Sequence, residues 1–245
     1  MALFLFQYIS PNLNKAFMLE QEKGADSILC RGHNDDIHYN DLLSLLATPT
    51  RPDAFELEDE TKIQLIENHF SAIMDILGLD MNDDSLRDTP RRVAKMYVKE
   101  IFSGLNPANK PTITLFDNPY RYGQMLVEKN ISVQSNCEHH FVPIVGKAHV
   151  AYISNGKVIG LSKLNRIVEY CSRRPQVQER LTVQIAVMIR EALGIEDVAV
   201  YIDAFHHCVS SRGVRDQGSS TVTVDYSGKF REAETRNEFL RYIGN

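Results

Sequence analysis

The chain predicts an α+β fold built on an antiparallel sheet, and three observations carry that prediction. Apolar residues recur at helical spacing from about residue 58 to 104. Alternation of apolar and polar residues takes over from Met125. Helices, a hairpin, a helix pair and further strands then follow in blocks, which suits α+β better than the strict alternation of a doubly wound fold.

Taken in order, residues 1 to about 55 mix short apolar pieces with Asn, Asp, His and Pro and close on Ala47-Thr48-Pro49-Thr50-Arg51-Pro52. No period persists there, so the segment reads as a poorly ordered extension, with Met18 as an alternative start. A first helix runs from Glu58 through Ile63, Ile66, Phe70, Ile73, Met74 and Leu77 to a stop at Gly78. A second opens with Thr89 as N-cap and Pro90 in the first helical position, carries Val93, Met96, Tyr97 and Ile101, and ends at Gly104. Arg92, Lys95 and Lys99 form a separate basic face on it. Strands follow at Met125 to Val133, Lys147 to Ile153 and Val158 to Leu161, the last two flanking Ser154-Asn155-Gly156-Lys157, a strong hairpin signal. Helices are expected over Lys163 to Ser172 and Val177 to Leu193, with Gly194 as the stop, and strands over Val198 to Val209 and Ser220 to Tyr226.

Composition narrows the function. At 245 residues, 43% hydrophobic and 24% charged, the chain has the makings of an ordinary globular core. A net charge of −5 argues against a nucleic-acid-coating role, so any anion must be held by local cations. No apolar run is long enough to span a bilayer, and the opening Met1 to Phe6 run lacks the basic leader of a secretory signal. The four cysteines, Cys30, Cys137, Cys171 and Cys208, are too scattered for a disulfide framework. A reducing cytoplasm is therefore expected, with cysteines serving as core residues or metal ligands.

Two clusters suggest a metal. Cys137 and His140 are spaced to meet one ion from a single turn, and both donors suit Zn²⁺. In the strand from Val198, the even positions lead through apolar residues to His206 and Cys208, while His207 falls on the opposite face. Four ligands would close a structural site; three would leave a catalytic position open, and spacing alone leaves both readings standing. Ser162, Lys163 and Arg166 at the start of a helix suit a phosphate, with Arg212 as a further cation. Glu179 is either a favourable first-turn charge or a holder of a guanine edge.

Together these stretches resemble GTP cyclohydrolase I. The blocks are Cys137-Glu138-His139-His140-Phe141-Val142, Gly160-Leu161-Ser162-Lys163-Leu164-Asn165-Arg166-Ile167-Val168, Gln176-Val177-Gln178-Glu179-Arg180-Leu181-Thr182 and His206-His207-Cys208 with Arg212-Gly213. The helix from Thr89 to Tyr97 and the closing Glu238-Phe239-Leu240 match too, so the likeness spans about residues 60 to 243. It implies a zinc enzyme that converts GTP and water to formate and 7,8-dihydroneopterin triphosphate. Cys137, His140 and Cys208 then hold the metal, which selects the open arrangement. His139 and His206 transfer protons, Ser162 assists rearrangement of the opened ribose, and Glu179, with Gln178 beside it, anchors the purine. Lys163, Arg166 and Arg212 bind the triphosphate, joined by Arg92 and Lys95 from a neighbouring subunit.

The resemblance further implies a tunnelling fold, with a four-stranded antiparallel sheet and helices on one face. Its subunits assemble through their sheets into a toroidal barrel, a homodecamer of two pentamers. The chain then divides into the extension 1–55 and a catalytic domain 56–245, helical over 56–110 with the tunnelling-fold core over 111–245. Ser210 stands where some relatives carry a basic residue, and His207 has no assigned role. A zinc nucleobase deaminase would need a Cys-x-x-Cys, which the chain lacks. The remaining alternative is a non-catalytic, zinc-stapled ring that binds GTP, and the presence of both His139 and His206 speaks against it.

Overall fold

The structure is a computed structural model that describes residues 47–244. Most of the expected extension, with Met18 and Cys30, lies outside the described residues. α1 (Asp59–Ile76) forms on the predicted stripe, with Asp59 and Glu60 in the first turn where the helix dipole favours acids. Only Ile63 and Met74 of that stripe are buried, and Ile73 and Leu77 stay exposed. α2 (Thr89–Lys95) packs on α1 through Pro90 and Ala94 and through an Arg91–Glu67 ion pair at 2.9 Å. Asp88 takes the N-cap position in place of Thr89, and the helix continues as a π-helical turn over Met96–Ile101. That turn shifts the residues after Lys95 out of simple helical register. Lys99 of the predicted basic face is consequently held by Asp59 at 2.6 Å.

The sheet is built from β2 (Met125–Cys137), β3 (Pro143–Ile153), β6 (Val198–His206) and β7 (Thr221–Tyr226), all antiparallel. These are the four expected antiparallel strands, and β5 (Pro175–Gln176) adds a short parallel pair beside Asn136 and Cys137. β2 runs beyond the predicted limit of Val133 and carries an irregularity between Glu128 and Ile131, with Asn130 at φ 63°.

The expected hairpin needs correction. The chain does turn at Asn155-Gly156, with Gly156 at φ 87° and Ser154 Oγ donating to Lys157 O at 2.7 Å. The returning β4 (Lys157–Ile159), however, pairs with β1 (Leu115–Asp117) instead of β3. The Tyr152 hydroxyl accepts from Ile159 N at 3.3 Å, and Asn118 N donates to Gly156 O. β3 is already paired on both sides, with β2 and with β6, so it offers the returning strand no free edge, a tertiary effect that turn chemistry does not encode.

α3 (Leu161–Ser172) and α4 (Gln178–Leu193) cover one face of the sheet, as expected. Leu164, Ile167, Leu181 and Ile185 are fully buried there against Val133, Val150 and Ile202. α4 stops at Gly194 in the left-handed region, φ 64°. α6 (Ala233–Ile243) is not apparent from periodicity; through Phe239, together with Phe230 of the preceding 3-10 turn, it seals the other face at one end against Met125, Ala151 and Ala199. Among the described residues, no helix is long and apolar enough to cross a membrane.

Candidate active site and metal centre

Three chain segments meet at one end of the sheet. β2 delivers Cys137 at its last residue, and a tight turn carries Glu138, His139 and His140 before β3 begins. Cys137 N donates to Val142 O and Phe141 N to Cys137 O, both at 2.9 Å, while Phe141 takes a left-handed φ of 54°. Phe141 packs edge-on against Tyr97 and Phe102, so the segment after α2 braces this turn.

The third segment follows β6. The predicted strand to Val209 stops at His206, and α5 (His207–Ser210) is a single helical turn. Cys208 is therefore presented by a helical turn and not by strand alternation, which corrects the expected even-position face beyond His206. Ser211 caps this turn by bonding His207 O through both N and Oγ. β3 and β6 approach closely just before it: a Cβ on Gly146 would stand 2.1 Å from Asp203 O and 2.5 Å from Ala204. Only glycine lets β6 run this close and set His206 opposite Ile144.

The result is a group of three donors. The ligand atoms of Cys137, His140 and Cys208 all lie within 4.8 Å of one another, with Cys137 buried, Cys208 half-buried and His140 exposed. Burial pushes the Cys208 thiol up, and the neighbouring Cys137 adds to the push. Two crowded thiols and an imidazole form a soft donor set whose thiolates a divalent cation would neutralise, so the residues fit Zn²⁺. An Arg212 Nη1 lies 3.0 Å from His140 Nε2. Arginine only donates, so this nitrogen presents its lone pair.

His206 sits beside the group. Its Nε2 lies 2.7 Å from Gln178 Oε1. The Gln178 amide nitrogen faces Thr221 O at 2.8 Å, Thr223 Oγ1 at 3.1 Å and Ile202 O at 3.2 Å. Those acceptors fix the amide orientation, so Oε1 accepts and His206 Nε2 carries the proton. Nδ1 is then the free nitrogen of the neutral ring. Burial holds the imidazole below its usual range, and the Glu179 carboxylate draws it part of the way back. Glu179 itself is exposed in the first turn of α4. Gln178, expected beside the purine, is fully buried with its side chain turned to His206 and the sheet. His139 is 65% exposed, with Nδ1 3.7 Å from Cys137 Sγ and Nε2 3.7 Å from Glu138 Oε1.

The phosphate candidates are not all brought here. Ser162, Lys163 and Arg166 lie at the start of α3, whose Asn165 Nδ2 reaches Glu128 Oε1 at 3.4 Å. Glu128 stands near the opposite end of β2 from Cys137, about 25 Å away at strand rise. α3 runs alongside β2, so that only its C-terminal end approaches the metal group, through Pro175–Gln176. Arg212 alone of the cations of the α3 and 212 groups touches the donor cluster. Arg92 and Lys95 are exposed on α2, with Arg92 3.7 Å from Asp88.

One network escaped the sequence reading. Arg180, only 13% exposed, pairs with Glu138 and donates to Gln176 Oε1 and Pro175 O, each at 3.0 Å. The sole sequence signal was a charged residue in each of two motif blocks.

The profile of the GTP cyclohydrolase I family matches residues 66–244. A protein of Flavobacterium johnsoniae named GTP cyclohydrolase 1 is 58% identical over 209 residues, covering 85% of this chain and 94% of its own. One of the same name from Escherichia coli O1:K1 is 53% identical over 199 residues, covering 81% and 90%. Among solved structures, an apo archaeosine synthase QueF-like protein aligns with TM-score 0.36 at 19% identity, covering 42% of this chain and 93% of that one.

Proposed function

The chain belongs to the GTP cyclohydrolase I family, and on that premise we propose that it converts GTP and water to formate and 7,8-dihydroneopterin triphosphate. The observation that carries this reading is the Cys137, His140 and Cys208 group, gathered within 4.8 Å and open on the His140 side. Zn²⁺ held by these residues would supply Lewis acidity and an activated water for attack at guanine C8.

The remaining work falls to the chain. The exposed Glu179 carboxylate accepts from guanine N1–H and the 2-amino group. His206 takes a proton at Nδ1 and returns it, while Gln178 accepts from Nε2–H in both charge states and so keeps the ring aimed. Gln178 thus serves the purine end through His206. His139, open to solvent, relays the further protons that ring opening and formate release require. Protonation of the guanine imidazole ring makes C8 electrophilic. Ser162 assists rearrangement of the opened ribose. Arg212, Lys163 and Arg166, with Arg92 and Lys95 from a neighbouring subunit, hold the triphosphate.

The distance between Cys137 and the start of α3 supports drawing Ser162, Lys163 and Arg166 from another copy of the chain. The assembly we propose is a homodecamer, two pentameric rings with their sheets joined into a closed barrel. β7 stands at one edge of the sheet, and β2 is covered at the other edge only by the two residues of β5. Pairing these edges between copies would remove an aggregation-prone surface. The cytoplasm is the proposed compartment, supported by the free thiols of Cys137, Cys171 and Cys208.

The test incubates zinc-loaded protein with GTP and follows formate release and the absorbance of the pterin, with Cys208→Ser as control. Both products from the parent and neither from the variant are expected. Neither product from a zinc-replete parent would overturn the reading in favour of a GTP-binding ring.

A further inference from the structure

The turn that carries Cys137, His139 and His140 hangs from the residue between them. Glu138 N donates to Gln176 O at 3.0 Å, and Glu138 Oε2 accepts from Arg180 Nη2 at 2.5 Å. The same guanidinium donates through Nε to Gln176 Oε1 and through Nη2 to Pro175 O. Gln176 is fully buried, and its amide donates to Cys171 O at 2.8 Å and Gln184 Oε1 at 2.7 Å. One planar fork therefore locks Glu138 to β5, to the end of α3 and to the first turn of α4. A lysine, with one nitrogen and no fork, cannot meet these three acceptors in that plane.

The consequence reaches His139. With Oε2 engaged, the second Glu138 oxygen is left 3.7 Å from His139 Nε2. His139 is otherwise mostly in solvent, its other ring nitrogen 3.7 Å from Cys137 Sγ. A solvent-exposed imidazole has many rotamers, and a fixed carboxylate at its side selects among them. The carboxylate itself is fixed only while the guanidinium holds it. We propose that Arg180 is a positioning residue that acts through Glu138 to hold His139 in the orientation needed for proton transfer. This rests on the cyclohydrolase reading of the site. The Arg180 side chain bonds Glu138, Gln176 and Pro175, none of which is a donor of the metal group or a residue assigned to the nucleotide.

The test uses the full-length, zinc-loaded protein with Arg180→Lys, Glu138→Gln and His139→Gln, singly and in pairs. Formate release from GTP labelled at C8 gives kcat and KM, and competition with a chromogenic chelator gives zinc affinity. Arg180→Lys is expected to lower kcat by about tenfold to a hundredfold, within the range of general acid–base contributions. KM for GTP and zinc affinity should each stay within about threefold, since purine, phosphate and metal contacts remain. In either the Glu138→Gln or the His139→Gln background, adding Arg180→Lys should cause no further loss, because groups acting in series are not additive. Losses that multiply, or an effect carried by KM or zinc affinity, would overturn the proposal and leave Arg180 a structural residue. Should Arg180→Lys fail to assemble, the isosteric Glu138→Gln is read against His139→Gln by the same criterion. A parent inactive on GTP defeats the cyclohydrolase reading; an active parent with multiplying losses defeats only the role of Arg180.

Discussion

Mixing two inactive variants should restore activity. One variant, Cys208→Ser, loses one of the proposed metal donors; the other, Lys163→Ala with Arg166→Ala, loses two of the proposed phosphate cations. Charge-assisted bonds contribute about 1.5 to 3 kcal/mol each, so the paired loss is worth about 3 to 6 kcal/mol, a hundredfold or more in turnover. Within one chain, α3 begins beside Glu128 while the metal group lies at Cys137, at the far end of β2. Strand rise puts about 25 Å between them, more than a nucleotide and a lysine side chain together span. On the proposed reading, a working site draws its metal half from one copy and its α3 half from another. After mild dissociation and reassembly at a one-to-one ratio, a site is competent when both halves are unmutated. Random mixing makes that about a quarter of sites, so about a quarter of parental formate release should return. The assay is turnover at saturating zinc before and after subunit exchange, with each variant exchanged against itself as control. Activity that stays at the level of the separate variants would refute the argument, because it would mean that one chain supplies both halves.

Three further outcomes are expected. Gln178→Ala removes the Gln178 acceptor from His206 Nε2 and a donor from Thr221 O, while Thr223 Oγ1 keeps Thr182 Oγ1 as its partner at 2.6 Å; at about 1 to 3 kcal/mol per orphaned group it should cost about 2 kcal/mol or more, read as a lower urea midpoint at fixed protein concentration, together with a fall in kcat. Gly146→Ala would force β3 and β6 apart, since its Cβ would meet Asp203 O at 2.1 Å; overpacking of about 1 to 3 kcal/mol should appear in denaturation, and weaker zinc binding should accompany it as Cys208 shifts from Cys137. His149 is buried and its pKa is lowered, first by burial and then by Lys129, with Asp203 opposing. The unfolded chain therefore takes up a proton that the fold resists, so this contribution is full above about pH 6.5 and is lost as pH falls through the folded value. His149→Gln should flatten the acid side of the stability curve relative to the parent, and an unchanged slope between about pH 7 and 5 would count against that account.

Periodicity alone placed α1, α3, α4 and most of the sheet, because an amphipathic pattern written for one period cannot be buried on another. It failed where tertiary contacts compete with local preference. β6 reads as alternating through Cys208, yet the strand ends at His206, where the following turn bonds to itself through Ser211. Asn155-Gly156 does turn the chain, but β2 and β6 already occupy both sides of β3, so the return pairs with β1 instead. α6 was invisible for a related reason: its one fully buried anchor, Phe239, is defined by Phe230 and the sheet and not by a stripe of its own.

The residues of the candidate site were legible because chemistry restricts them. Thiolates and imidazoles suit zinc, a carboxylate suits a guanine edge, and these types stand in the sequence whatever the fold does. Where they meet is a property of space. Only the folded chain could bring the donor atoms of Cys137, His140 and Cys208 within 4.8 Å of one another, turn Gln178 inward onto His206, and tie Glu138 to Arg180. It also carries the start of α3 away from the metal group, because a helix laid along a strand separates what lies at its two ends. Residue types set which reactions are open to this protein, and long-range packing, which no local pattern encodes, decided which of those residues can act together.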